Sequence, residues 1–388
     1  MRLKPFGDEI VSMQIESRGI IFDPIKWGGD QLLTSFVGLC STESGALLAT
    51  CQLGSSKNAV DATLVVCRSI DQGRTWARCE HEFATSIEGC EGSLSSGDII
   101  EVASGQLLLI ATWFDRSDPA RPFFDPVTEG ILRSKQLKAF SNDEGQSWSN
   151  WTELDLGGIK ACSNTGPILR WADGTIGFAF ESLKEYCDPT PVVQRAWCVL
   201  SRDGGQTFDA PITVAHDPQN QKFYWDQRLC VGSETGDFIG LFWTHNVAEK
   251  KDMPVHLCQG NLLGGDKRIP PPTPTCLDGQ IAAPLLLADG RCLVFVVDRS
   301  EPGRLILFRS DDREFNWSRQ LTVHSQIEYA ELTQGCDKID YAQYWEDMGK
   351  WTFGHPAIVA LDGQTVIVAY YAGMPNHTLI HWARIRLE

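Results

Sequence analysis

The stretch best suited to chemistry is Tyr224-Trp225-Asp226-Gln227-Arg228, because a carboxylate set among apolar rings is costly unless it is paired or used. His355, held between Gly354 and Pro356, has the same standing. Both lie at the start of apolar runs that read as strands. Ser35, Ser95, Asn164 and Gln280 take corresponding places, each ten positions before a glycine that opens the next run, as Asp226 does. A second set of polar residues follows those next runs: Asp61, Asp115 with Arg116, Glu181 with Lys184, His245, Asp298 with Arg299, and His377. Acids, bases and cations gathered in this way are the ingredients of proton transfer to and from a bound substrate. Some have plainer readings: Asp115, Lys184 and His377 as solvated loop groups, and Asp298-Arg299 as a pair that orders its loop.

Two repeats say what must position these groups. The glycines Gly45, Gly105, Gly174, Gly236, Gly290 and Gly363 each follow a small, hydroxyl or acidic residue and precede an apolar run, with another apolar run before them. Each marks a hairpin. A turn of the form Ser69-Ile70-Asp71-Gln72-Gly73-Arg74-Thr75-Trp76 returns at Ser141 to Trp148 and Ser201 to Phe208, and in altered form at Ser310 to Trp317. It closes a second hairpin, its Asp accepting backbone N–H bonds and its ring returning to the core. The altered copy keeps the spacing but lacks the glycine and the hydroxyl. Six units of four strands predict an all-β, six-bladed β-propeller of antiparallel blades, with residues 1–388 as one domain. The last unit is one strand short, and Ser12 to Phe22 is expected to supply it, closing the ring from both ends. Strands then run outward from the channel. The polar sets fall on one face, and the Asp turns fall on the other as structural elements.

Composition agrees with this and excludes several classes. A hydrophobic share of 43% with 13 Trp and 18 Phe fills a core, while 35 Gly and 19 Pro supply turns. Fifty acidic against 34 basic residues leave a net charge of -16, which excludes a phosphate backbone as a partner. No nucleic acid and no membrane is expected, and with no apolar leader at Met1 to Asp8 the expected location is cytoplasmic. The 13 Cys mostly sit within apolar runs and read as buried thiols; no metal or cofactor motif is present.

At these residues the chain resembles the sialidase (neuraminidase) superfamily, whose Asp-box turns (BNR repeats) have the form seen at Ser69 to Trp76. The resemblance extends over all six blades and implies a glycan or oligosaccharide partner. It places a general acid at Asp61, in Val60-Asp61-Ala62-Thr63-Leu64. Asp226 and His355 stand where the family has a Glu and the Tyr nucleophile it activates, with Tyr341, Tyr344 and Tyr371 as phenols that could substitute. The family's first carboxylate-binding Arg would fall in Thr34-Ser35-Phe36-Val37-Gly38, which has none; the second falls near His245, and the third matches Arg299 or Arg304. The implied function is a sialidase-like glycoside hydrolase acting on a terminal sugar, acidic sugars included. Asp61 is its acid, and Asp226 with His355 its base or nucleophile partners. Arg228, Arg299 and Gln280 would orient the substrate, with Arg116, Glu181, Asn164, His245 and Arg304 completing the lining. Two alternatives remain: a lyase in which His355 or His245 removes the proton beside a uronic carboxylate, and a sugar-binding propeller without catalysis.

Overall fold

In the computed structural model, residues 13–263, 269–300, 302–312, 315–317, 319–326 and 341–388 are described, the side chains of 319, 341, 342, 345 and 346 apart. They form six antiparallel sheets around a channel, a six-bladed β-propeller. Blade one runs outward through Leu33–Ser41, Leu47–Gly54, Thr63–Ser69 and Ala77–Arg78, and blade two through Gly92–Ala103, Gln106–Asp115, Ser134–Ser141 and Thr152–Glu153. Blade three has a broken inner strand, Cys162–Asn164 and Leu169–Arg170, followed by Ile176–Ser182, Arg195–Ser201 and Ile212–Ala215. Pro167 lies in the break, where a strand would need the N–H it lacks. Blade four comprises Lys222–Val231, Asp237–Asn246, His256–Asn261 and Thr273–Pro274, with Lys251–Asp252 as an extra pairing on its second strand. Blade five comprises Ala282–Leu286, Cys292–Asp298, Gly303–Ser310 and Arg319–Gln326.

Blade six takes Phe353–Ala360, Thr365–Met374 and His377–Leu387 from the end of the chain and Met13–Phe22 from its start. Met13 pairs with Leu387 and Phe22 with Ile380. Ser12 lies outside the described residues. The seam is apolar: Phe22, Val37, Leu47 and Val65 pack with Ile367, Ile380 and Trp382. Second strands such as Leu47–Gly54 are buried throughout because blades cover both their faces, which is why they read as unbroken apolar runs. Burial also makes most of the described thiols inert, Cys40 being pushed up to about 12, while Cys187 and Cys276 are exposed.

The Asp turns are built as expected, from their own residues. Asp71 accepts from Thr75 N–H at 2.9 Å and from the Thr75 hydroxyl at 2.7 Å, while Ser69 Oγ accepts from Gly73 N–H at 2.9 Å. Asp143 and Asp203 repeat the pattern with Ser147 and Thr207. In the altered copy the Asn316 amide replaces the hydroxyl and donates to Asp312 at 2.8 Å. Arg313 and Glu314 fall outside the described residues.

Two features depart from the expectation. Four inner strands carry a bulge, between Ser35 and Gly38, Leu94 and Gly97, Trp225 and Arg228, and Gly354 and Ala357. In three of them a residue that is not glycine takes a left-handed backbone: Phe36 at φ 52°, Asp226 at 45° and His355 at 51°. The residue of blade one that matches Asp226 is therefore Phe36, one place beyond Ser35. The connection from blade five to blade six also holds a helix, Tyr341–Met348, in a chain read as all strand. Among the described residues no helix is long and apolar enough to cross a membrane.

Candidate functional site

The bulges aim side chains that a regular strand would alternate away from the channel mouth. Arg228, on the inner strand of blade four, joins two of them: its Nη2 lies 3.2 Å from Asp226 Oδ1 and donates to His355 Nε2 at 2.8 Å. His355 Nδ1 donates in turn to Val37 C=O at 3.0 Å. Both ring nitrogens are thereby engaged, and the imidazole is a neutral acceptor that fixes the guanidinium. Burial and the facing Arg228 push its pKa well below the usual histidine range.

Glu181 completes the cluster from the second strand of blade three. Its Oε2 accepts from Asp226 N–H at 3.2 Å and from Gln194 Nε2 at 3.3 Å. Gln194 is itself fixed by Tyr224, accepting from its N–H and donating to its C=O. Burial and the neighbouring Asp226 carboxylate push Glu181 up to about 8, against the opposing pull of those hydrogen bonds and of Arg228. A proton-holding carboxyl thus stands beside a carboxylate paired with arginine. Deeper in the channel Asp98, raised by burial and opposed by Arg228 and Asn164, lines the same cavity as Arg228, a void of about 20 Å³. Asn164 donates to Asp98 at 2.9 Å.

A second polar chain runs along blades four to six. Asp252 accepts from His245 Nδ1 at 3.0 Å and from Gln280 Nε2 at 3.2 Å. Gln280 Oε1 accepts from Arg299, which also donates to Phe353 C=O at 2.9 Å and stacks on Trp351 at 3.8 Å. The His245 ring lies flat against Trp225 at 5.1 Å, next to Asp226. Tyr344 of the helix stands edge-on to Trp225 and His245. Lys57, from the loop of blade one, donates to Tyr371 Oη at 2.6 Å and to Met348 C=O at 3.0 Å. Burial and then Arg299 hold Lys57 well below the usual lysine range, while burial lifts Tyr371 to about 12.

The structure thus brings together Asp226, Arg228, His355 and Glu181, with His245, Gln280 and Arg299 in the adjoining chain. Asn164 reaches them through Asp98. The other candidates are engaged elsewhere. Asp61 is exposed and accepts at Oδ1 from Ser55 N–H and Oγ, bracing its own loop, and no hydrogen bond or ion pair joins it to the cluster among the described residues. Arg116 donates to Ser93 Oγ and Asn58 C=O, and Arg304 pairs with Asp298 at 2.6 Å. Sequence reasoning missed Lys57, Asp98, Gln194 and Asp252. Tyr344 and Tyr371 do enter the site, whereas the Tyr341 side chain lies outside the described ones. Among the described residues no group of three or more His, Cys, Asp or Glu is placed to hold a metal ion.

No protein-family model and no curated protein matches the chain. Solved structures do. A Dyadobacter fermentans protein of unknown function superposes with a TM-score of 0.71 at 15% identity, over 98% of this chain and 100% of that one. The chain shares its fold with sialidases. The intramolecular trans-sialidase from Ruminococcus gnavus gives a TM-score of 0.62 at 9% identity, over 95% of this chain and 97% of that one. The Hadza microbial sialidase Hz136 gives 0.57 at 17% identity, over 91% of this chain and 66% of that one. At such identities the likeness is one of architecture, and the activity has to be argued from the residues.

Proposed function

We propose that the protein is a glycoside hydrolase acting on a terminal sugar, with Glu181 as the general acid and Asp226 as the base or nucleophile. The observation that carries this reading is the pair itself. One carboxyl is pushed up by burial and by its neighbour, and the other is paired with Arg228, the separation of roles that glycosidic cleavage requires. Glu181 would protonate the leaving oxygen while Asp226 acts on the anomeric carbon, directly or through water. Arg228, held by His355, keeps Asp226 aimed. Likeness in fold to sialidases and a trans-sialidase supports a glycan as the partner.

The reading moves the acid from Asp61 to Glu181, and paired variants decide between them. On a substrate found by screening aryl glycosides, Glu181→Gln is expected to lose about 10²- to 10⁴-fold in kcat while Asp61→Asn stays within a few-fold. The reverse order would restore Asp61 to the role. A lyase with His355 as its base is disfavoured because both ring nitrogens of His355 are occupied; His245, its Nδ1 held by Asp252, is the base left to that alternative.

A further inference from the structure

Among the described residues of the cluster, Asp226 and Asp252 are more exposed than the cations, which lie behind them. The Asp226 and Asp252 side chains keep 27% and 28% of their exposure, whereas Arg228 keeps 2%. Arg299 and Lys57 are likewise buried, and each donates to the protein itself: Arg299 to Gln280 and Phe353, Lys57 to Tyr371 and Met348. An entering carboxylate would meet these two carboxylates first, and the cations behind are buried, so that the unpartnered Nε of Arg228 and of Arg299 could be reached only by rearrangement. At the bulge of blade one, where the sialidase resemblance calls for an arginine, stands Phe36. It is half-buried, with its ring 5.4 Å from His355 and edge-on to it.

We infer that the sugar taken by this site is uncharged: a neutral pyranose whose C–H face packs on Phe36 and whose hydroxyls donate to Asp226 and Asp252. The inference rests on the glycosidase reading for the site's place but not for its chemistry, since it concerns which ring is held. Carboxylates at a mouth favour donors, and every pyranose hydroxyl is one. An aromatic ring without charge discriminates by shape and apolar contact, and it keeps this preference at any ionic strength. The chain's net charge of -16 acts in the same direction, slowing the approach of anionic sugars.

Binding tests this independently of turnover. The full chain would be titrated by saturation-transfer NMR with glucose, galactose, mannose, fucose and N-acetylglucosamine, and separately with N-acetylneuraminate and glucuronate. At least one neutral sugar is expected to bind, with an affinity unchanged by added salt, and neither anionic sugar is expected to compete with it. Phe36→Ala should weaken that binding about tenfold and Phe36→Tyr should retain it. Asp252→Asn, which leaves Phe36 in place, should let an anionic sugar begin to compete. Tighter binding of either anionic sugar, or binding of no neutral one, overturns the inference. Binding of a neutral sugar whose aryl glycosides are not hydrolysed in either anomeric form would sink the hydrolase reading and leave the specificity intact.

Discussion

The two faces of the ring satisfy their charges in opposite ways. On the Asp-turn face the Asp of each turn is met by groups four residues along the same turn, as Asp71 is by Thr75 and Asp143 by Ser147. At the mouth the partners come from different blades: Glu181 meets Asp226, Arg228 meets His355, and His355 meets Val37. A turn whose Asp is satisfied from within can be repeated and worn with its own geometry kept, even where it also meets a neighbouring blade, as Glu144 meets Arg68. A cluster assembled from three or four blades concentrates field and desolvation at one point, which is how pKa values are separated for catalysis. The first arrangement braces the fold, and the second is the candidate site.

Substitutions should expose this difference, and the largest effect is expected at the centre of the mouth. Arg228→Leu leaves Asp98 buried and Asp226 without its counter-charge, so a loss of about 3–5 kcal/mol in urea unfolding is expected. A loss under 1 kcal/mol would mean that the cluster is not electrostatically connected. Next comes pH. Glu181 holds its proton more tightly folded than unfolded, so its contribution is fully present below about pH 4.5 and is lost as pH rises toward about 8. Glu181→Gln should therefore gain on the native protein steadily across that interval, by at most about 1.4 kcal/mol per pH unit, in paired denaturation series. Equal pH dependence in both proteins would remove the argument for a proton-holding acid.

The Asp turns should behave in the opposite sense and more weakly. Bonds from Thr75 hold Asp71 down to about 2, so its contribution is present above its unfolded value and is lost as pH falls toward 2. Asp71→Ala is expected to cost about 1 kcal/mol, as for loss of a comparable capping carboxylate, with catalytic constants unchanged. Smallest of all should be Asn316→Ala in the altered turn, a few tenths of a kcal/mol, because its amide replaces only the hydroxyl's share. A larger cost there than at Asp71 would show that the altered copy has become the more important turn.

The same contrast explains what could be read in advance. Blade number and strand order followed from the recurring glycines, which are local signals, and the closing strand from a last unit left one strand short. Asp226 and His355 could be singled out because each interrupts an otherwise apolar strand. Glu181 was visible only as a loop-end acid, since the burial that gives it a proton comes from Gln194 and the bulged backbone of Asp226. Lys57 sat in a polar loop and gave no sign that Tyr371 and Met348 would bury it. The helix Tyr341–Met348 lay in a connection whose place over Trp225 and His245 is set by tertiary packing alone. Counting back from glycines also missed Phe36 by one residue. The bulge is common to blades one and four, but the turn joining the first two strands is one residue shorter between Ser41 and Leu47 than between Val231 and Phe238, and a fixed offset cannot register it.

The pairing of residues 13–22 with 377–387 has a consequence for biosynthesis. The strand at 13–22 must wait for the one at 377–387 to be translated, so the ring carries unpaired edges until then. Those edges are open to pairing with other chains until the closing strand arrives, so folding during synthesis would gain from anything that shields them.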